Sequence, residues 1–336
     1  MTPEKSSLQI RNLRAKPSTL QGPQSPRIHG MVSMWLTAGL LFCVFSSTAR
    51  SQSPRDRFTN RVGRTSFPFE FSSGAVILPI SIDGSRPLRL VLDSGSAKTL
   101  IDRKVAAELG LKEGEESSLQ GAGAGRIPIR ALPDVEIQMP GLDSKGYDCF
   151  TVDLSPVSQA AGTPEDGILG YDFFARFVVT IDFEARRMTV ELPTAFHPAG
   201  DFEALPIAIK NRWPFVKGEL VMPGSVTIQD TFLIDLGSSD AVDHPIVKNM
   251  KEKTASKSGV GFGDPLDGAV AVATSFKIGN VTVSGPVVAC CGATEATSRL
   301  IGTEVLKRFT VVLDYPSLHV FLRPNTSINK PFERLP

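Results

Sequence analysis

Leu92-Asp93-Ser94-Gly95-Ser96 recurs further along the chain as Ile234-Asp235-Leu236-Gly237-Ser238. Beyond a glycine-rich loop, each copy is followed by a matching segment of two apolar residues and a glycine, Ile168-Leu169-Gly170 and Leu300-Ile301-Gly302. Residues 168–182 align without gaps on residues 300–314, with Leu169/Ile301, Gly170/Gly302, Arg176/Arg308, Phe177/Phe309 and Asp182/Asp314 in register. One Asp-Ser-Gly triplet is a weak signal, because these residues are common and meet by chance. Two copies in the same order of elements make the aspartates a pair. A period this long describes two fused lobes and not an array of short repeats.

The residues around each copy alternate in the manner of short strands separated by Gly, Pro and Asp turns. In the first half, 75–82 and 88–92 read as strands leading into Asp93; in the second, 215–222 and 230–234 lead into Asp235. Each aspartate therefore sits in a turn at the end of an apolar strand. Residues 102–110 read as a brief helix closed by Gly110, and 244–250 as a weaker counterpart. A glycine-rich hairpin follows in each half, Gly121 to Gly125 and Gly259 to Gly263. The fold class is mostly β, with two related lobes and little helix. The organisation expected is a leader over 1–49, a solvated linker over 50–66, a first lobe over 67–199 and a second over 200–336.

The chain has 336 residues, 41% of them hydrophobic and 21% charged, which suits a globular protein with two cores. Its net charge of +1 hides a basic front: residues 1–49 hold five of the 36 basic residues and one of the 35 acidic ones, leaving 31 against 34 in the remainder. A slightly acidic body carries no electrostatic footprint for nucleic acid. The apolar run 34–45, preceded by basic residues and followed by Ser47-Thr48-Ala49, reads as an export signal, giving a secreted or periplasmic protein. The run is short for a bilayer span, so no stable membrane insertion is expected after signal removal; a retained anchor is the alternative. Three cysteines beyond the leader are too few for a disulfide framework. Cys149 and Cys291 each lie 56 residues beyond their half's aspartate and read as equivalent buried strand positions, with a bridge involving Cys290-Cys291 the alternative. His29, His197, His244 and His319 are scattered, with no partner at metal-ligand spacing, so neither a metal nor another cofactor is expected.

These motifs resemble those of the aspartic peptidases of the pepsin and retropepsin type, over roughly residues 67–325. The resemblance implies a bilobal pepsin-like barrel fold with a central cleft, assembled from tandem retropepsin-like halves in one chain. It implies an aspartic-type endopeptidase acting as a monomer on peptide or unfolded protein, with Asp93 and Asp235 as the catalytic dyad that activates a water. Ser94, Gly95, Ser96, Gly237 and Ser238 would support the dyad: the glycines by letting backbone pass close to a carboxylate, and the Ser96 and Ser238 hydroxyls by bonding the outer carboxylate oxygens. Gly121, Gly123, Gly259 and Gly261 fall where the family has flaps that close over substrate.

Leu236 departs from the family pattern, which has Thr or Ser there to tie each active loop to its counterpart. Ser94 can make this tie from one side and Leu236 cannot from the other. Leu236→Thr is therefore expected to raise stability or turnover. The same departure motivates a reading from another class, a non-catalytic peptide-binding protein on the same fold. A third reading pairs the Asp93 loops of two chains and leaves Asp235 idle.

Overall fold

The apolar strands of the repeat organise three sheets, and one of them is shared between the two halves. The computed structural model describes residues 55–121, 123–258, 263–292, 294 and 296–332. The leader, with its apolar run, lies outside the described residues. Ser53–Pro336 form one compact unit. Among the described residues no helix is long and apolar enough to cross a membrane.

The fold is mostly β and bilobal, in the manner of the aspartic proteases. Nine strands between Asp56 and Leu169 form the sheet of the first half, and ten between Ala208 and Ile301 that of the second. The expected strands 75–82 and 88–92 are observed as Ala75–Ile82 and Leu88–Leu92; their counterparts run longer, as Trp213–Met222 and Val226–Ile234. The helix is Arg103–Glu108, capped by Asp102, whose carboxylate accepts the Lys104 and Val105 N–H groups. Its counterpart, Pro245–Asn249, is a 3-10 turn capped by the His244 ring.

The third sheet runs in the order Glu203–Pro206, His319–Pro324, Phe309–Asp314, Val178–Asp182, Arg187–Glu191, Arg64–Pro68. Its central pair is antiparallel, with Thr180 opposite Val312 and Val179 and Ile181 opposite Leu313 and Val311. Thr180 and Val312 are aligned positions in the repeat, and their flanking residues exchange across the pair. This register is that of a local two-fold axis relating the halves. Asp182 and Asp314 close the two hairpins of this sheet, accepting the Ala185 and Ser317 N–H groups.

Two expectations give way here. The stretch 50–66 is not a solvated linker throughout: Asp56–Phe58 pairs with Leu142–Val152, and Arg64–Pro68 forms an edge of the shared sheet. These segments lack a periodic apolar face because they are short edge strands, held mainly by backbone pairing. The equivalence of Cys149 and Cys291 also fails. Leu100 pairs with both Ile168 and Phe150, whereas Asp243 pairs with both Leu300 and Ala289. The register therefore matches Cys149 to Val288, and the equal spacing in sequence is accidental. Cys149 is a buried free thiol, while Cys290 and Cys291 are joined to each other by a disulfide.

Candidate active site

Each aspartate emerges from its strand at a crossing of chains. Leu92 lies beside Leu169 in a parallel pair, and Ile234 beside Ile301. All four side chains are buried, each burial contributing about 1.5–3 kcal/mol. The Asp93 N–H donates to the Leu169 carbonyl and the Asp235 N–H to the Ile301 carbonyl, both at 3.0 Å. The glycine that follows is required by space: a Cβ on Gly170 would stand 2.3 Å from the Lys98 carbonyl oxygen, and one on Gly302 2.2 Å from that of Asp240. The apolar-apolar-Gly segments thus thread beneath the aspartate-bearing loops.

The structure brings Asp93 and Asp235 together, each carboxyl seated against the glycine of the other half's loop and interacting with its counterpart. Asp93 Oδ1 accepts the Gly95 N–H at 2.7 Å, and Asp235 Oδ1 accepts the Gly237 N–H at 2.9 Å. The glycines face across the junction. A Cβ on Gly95 would fall 2.5 Å from Asp235 Cγ, and one on Gly237 2.4 Å from Asp93 Cγ, so each half leaves room for the other's carboxylate. Removal from water raises both carboxyls: Asp93 to about 6, and Asp235 well above the ordinary range, pushed further by the charge of Asp93. Ser96 and Ser238 serve differently from the expectation, since their hydroxyls bond neighbouring main-chain groups and not the carboxylates. The Ser96 hydroxyl donates to the Lys98 carbonyl, and that of Ser238 accepts the Asp240 N–H. A short side chain beside a loop satisfies the nearest backbone group first.

Ser94 ties the loops together. Its buried hydroxyl donates to the Ile234 carbonyl at 2.7 Å and accepts the Leu236 N–H at 3.0 Å. Leu236 returns no such bond; its side chain is 0% exposed within the apolar core. That burial reverses the sign expected for Leu236→Thr. The hydroxyl would add about 0.5–1.5 kcal/mol, less than the roughly 1.5–3 kcal/mol of leucine burial it would sacrifice.

Each half also reaches over the other's loop. Thr303 Oγ1 donates to the Gly74 carbonyl at 2.7 Å, joining the turn after Glu70–Ser72 to the second loop. Arg212, from the turn before Trp213–Met222, approaches the first loop: its Nη1 lies 3.3 Å from Asp172 Oδ1 and 3.4 Å from the Ala97 carbonyl, and its guanidinium covers the Tyr171 ring. Sequence reasoning missed both contacts, because a turn residue gives no sign of what it will meet across a lobe junction. It also missed Asp240 and Asp243, a carboxyl pair in the second half whose burial pushes both above the ordinary carboxylate range.

Each half also carries a long hairpin, Glu116–Gln120 with Arg126–Met139 and Thr254–Ser258 with Leu266–Val272. Their tips meet through reciprocal backbone hydrogen bonds between Ala124 and Asp264, at 2.9 and 3.1 Å. Gly121 and Gly123 lie at the first tip, where Gln120 Nε2 donates to the Gly123 carbonyl. Gly259 and Gly261 lie outside the described residues. At the second tip the left-handed Gly263 passes so near the Ala124 carbonyl that a Cβ would come within 2.4 Å.

With this geometry in view, comparison with known families is informative for the first half. A family model described as aspartyl protease matches residues 78–173. The matched stretch contains the Asp93 loop, the first tip hairpin and the Gly170 crossing. It includes nothing of the second half. No curated protein matches the chain.

Proposed function

We propose that the protein is an exported, monomeric aspartic endopeptidase made of two retropepsin-like halves, 67–199 and 200–336, with Asp93 and Asp235 as its dyad. The observation that carries this reading is the approach of these two carboxyls, one from each half, each against the other half's glycine. Neighbouring carboxyls in a desolvated site cannot both ionise cheaply, so they hold one proton between them; the handful of well-known cases of this effect includes the aspartic proteases themselves.

Such a pair hydrolyses a peptide bond without a covalent intermediate. The ionised carboxyl takes a proton from a water as its oxygen bonds to the carbonyl carbon, and the protonated carboxyl gives its proton to the carbonyl oxygen. In the second step the C–N bond breaks, the nitrogen receives the first proton, and a hydroxyl of the tetrahedral intermediate returns the other to the dyad. The contact between the hairpin tips at Ala124 and Asp264 supports reading them as flaps whose opening would admit a peptide. The basic front of the leader followed by the apolar run 34–45 supports export.

Cleavage of unfolded protein by the purified chain, from about pH 3 to about pH 8, tests the reading. Activity that disappears in both Asp93→Asn and Asp235→Asn is the expected result. Peptide binding without cleavage would favour the second reading, a peptide-binding protein, for which the one-sided Ser94 tie at Leu236 speaks. Activity indifferent to Asp235→Asn would favour pairing of Asp93 loops between two chains.

A further inference from the structure

Strand register makes one sheet face of the two halves comparable position by position. In the first half Glu70 lies opposite Ile77, and Ile77 opposite Val91, two residues before Asp93. In the second half Ala208 lies opposite Phe215, and Phe215 opposite Leu233, two residues before Asp235. One step further along the same face, Pro79 meets Arg89 in the first half and Lys217 meets Thr231 in the second. Glu70 therefore corresponds to Ala208, and Arg89 to Thr231. The first half closes this face with an ion pair: Arg89 reaches diagonally to Glu70 through two guanidinium nitrogens, at 2.5 and 3.2 Å, and also donates to the Pro164 carbonyl. Alanine and threonine at the corresponding positions are too short to do so. The second half has a cavity of about 520 Å³ there, with Ala208 and Thr231 in its wall.

We propose that this cavity binds an alkyl carboxylate, the chemical class of the fatty acids, with its chain against Leu205, Ile207 and Phe215 and its head group at Lys217 and Lys277. The three apolar residues line the end where Ala208 pairs with Phe215. The two lysines line it further along, Lys277 opposite Glu219. Among the described residues neither lysine forms an ion pair. Glu219, the one carboxylate in the lining, accepts a hydrogen bond from the Gln229 amide, and Glu203, beside Gly279, is turned to the Asn280 N–H. Two ammonium groups against one engaged carboxylate favour an anionic head over a cationic one. Apolar walls with a few polar groups that fix orientation, within a volume of about 300–1,000 Å³, are the usual make-up of a small-molecule site. An alkyl chain gains from each methylene it withdraws from water. The cavity lies upstream of Asp235 on the strand leading into it, and its occupation is independent of peptide cleavage.

The test is calorimetric titration of the purified chain with octanoate, decanoate, dodecanoate and tetradecanoate, each below its micelle concentration. Saturable binding is expected, with affinity rising about fourfold per added methylene until the cavity is filled. Lys217→Met combined with Lys277→Met should weaken decanoate about tenfold and leave decanol unchanged, which separates the head group from the chain. Ala208→Glu combined with Thr231→Arg copies the ion pair of the first half into the second and should abolish binding of both compounds. Ala208→Trp alone fills the same space and serves if the double variant fails to fold. Absence of saturable binding, decanoate affinity indifferent to the lysines, or undiminished binding in the closed variants would overturn the proposal. Sedimentation of the unliganded chain examines the competing occupant: self-association that the closing substitutions abolish would assign this face to a second copy of the chain and overturn the proposal as well.

Discussion

The two aspartate-bearing loops follow the same path with different side chains, and the differences fall where the backbone is indifferent to them. Wherever main chain crosses main chain the halves agree: the Asp93 and Asp235 N–H groups donate to equivalent carbonyls, and Gly170 and Gly302 leave equivalent gaps. Wherever a side chain turns sideways they diverge, as in Ser94 against Leu236, Lys98 against Asp240, and Leu100 against Asp243. A pseudo-symmetric scaffold can hold an asymmetric site, because a missing Cβ or a backbone hydrogen bond fixes the path while field and packing remain free to differ.

The comparison breaks most visibly if only one half is needed. Asp93→Asn and Asp235→Asn should each lower the rate of peptide cleavage on the order of 10^3-fold or more, measured under the same conditions. Equal loss sharpens the view that the carboxyls act as one unit, and a large loss in one variant alone would break it. The pair should also reveal itself through pH. With Asp93 held at about 6 and Asp235 higher, the rate should fall as pH drops below about 6, where both carboxyls become protonated. A rate still at its maximum at pH values near the ordinary carboxylate range, about 4, would contradict this. Stability moves in the opposite direction. Raised values mean that the folded state binds protons more tightly, so this contribution is complete below about 4 and is lost as pH rises through about 6, which thermal melts across that window would follow.

Gly170→Ala and Gly302→Ala should cost similar amounts, about 1–3 kcal/mol each, because both place a Cβ against backbone oxygen; denaturant unfolding measures them. A marked difference between them would show that the second crossing is looser. The ties at the junction should behave unequally. Ser94→Ala leaves the Ile234 carbonyl and the Leu236 N–H unpaired and should cost about 1–3 kcal/mol, whereas Leu236→Thr should cost about 1 kcal/mol net of the hydroxyl's gain. A stabilised Leu236→Thr would restore the simpler view that the leucine is only a missing hydroxyl. Smallest are the contacts of the two turns. Thr303→Ala should cost about 1 kcal/mol, and Arg212→Ala less than that, since its ion pair with Asp172 is partly open to solvent.

The sequence disclosed the parts of this arrangement that hard constraints repeat. Asp-x-Gly turns at the ends of apolar strands and the gapless 168–182 alignment located both loops, both crossings and the strands feeding them. Edge strands such as Asp56–Phe58 stayed hidden, because pairing through backbone leaves little mark on side-chain choice. The cysteine positions misled for a different reason: the connections differ in length between the halves, so equal counting from the aspartates lands on unequal strand positions. Leu236 was visible as a departure, but its effect could be judged only once its burial was known. Arg212 and Gly74 meet their partners across the junction, and nothing local in their turns predicts it.

The central claim is that one carboxyl from each half meets the other at a single reaction centre. It is tested most directly by a crystal structure of the protein with an uncleavable peptide bearing a hydroxyl in place of the scissile carbonyl. The account predicts that hydroxyl within about 3 Å of both Asp93 and Asp235, beneath the joined hairpin tips. A peptide bound away from these residues, or aspartates separated beyond the reach of one hydroxyl, would contradict it.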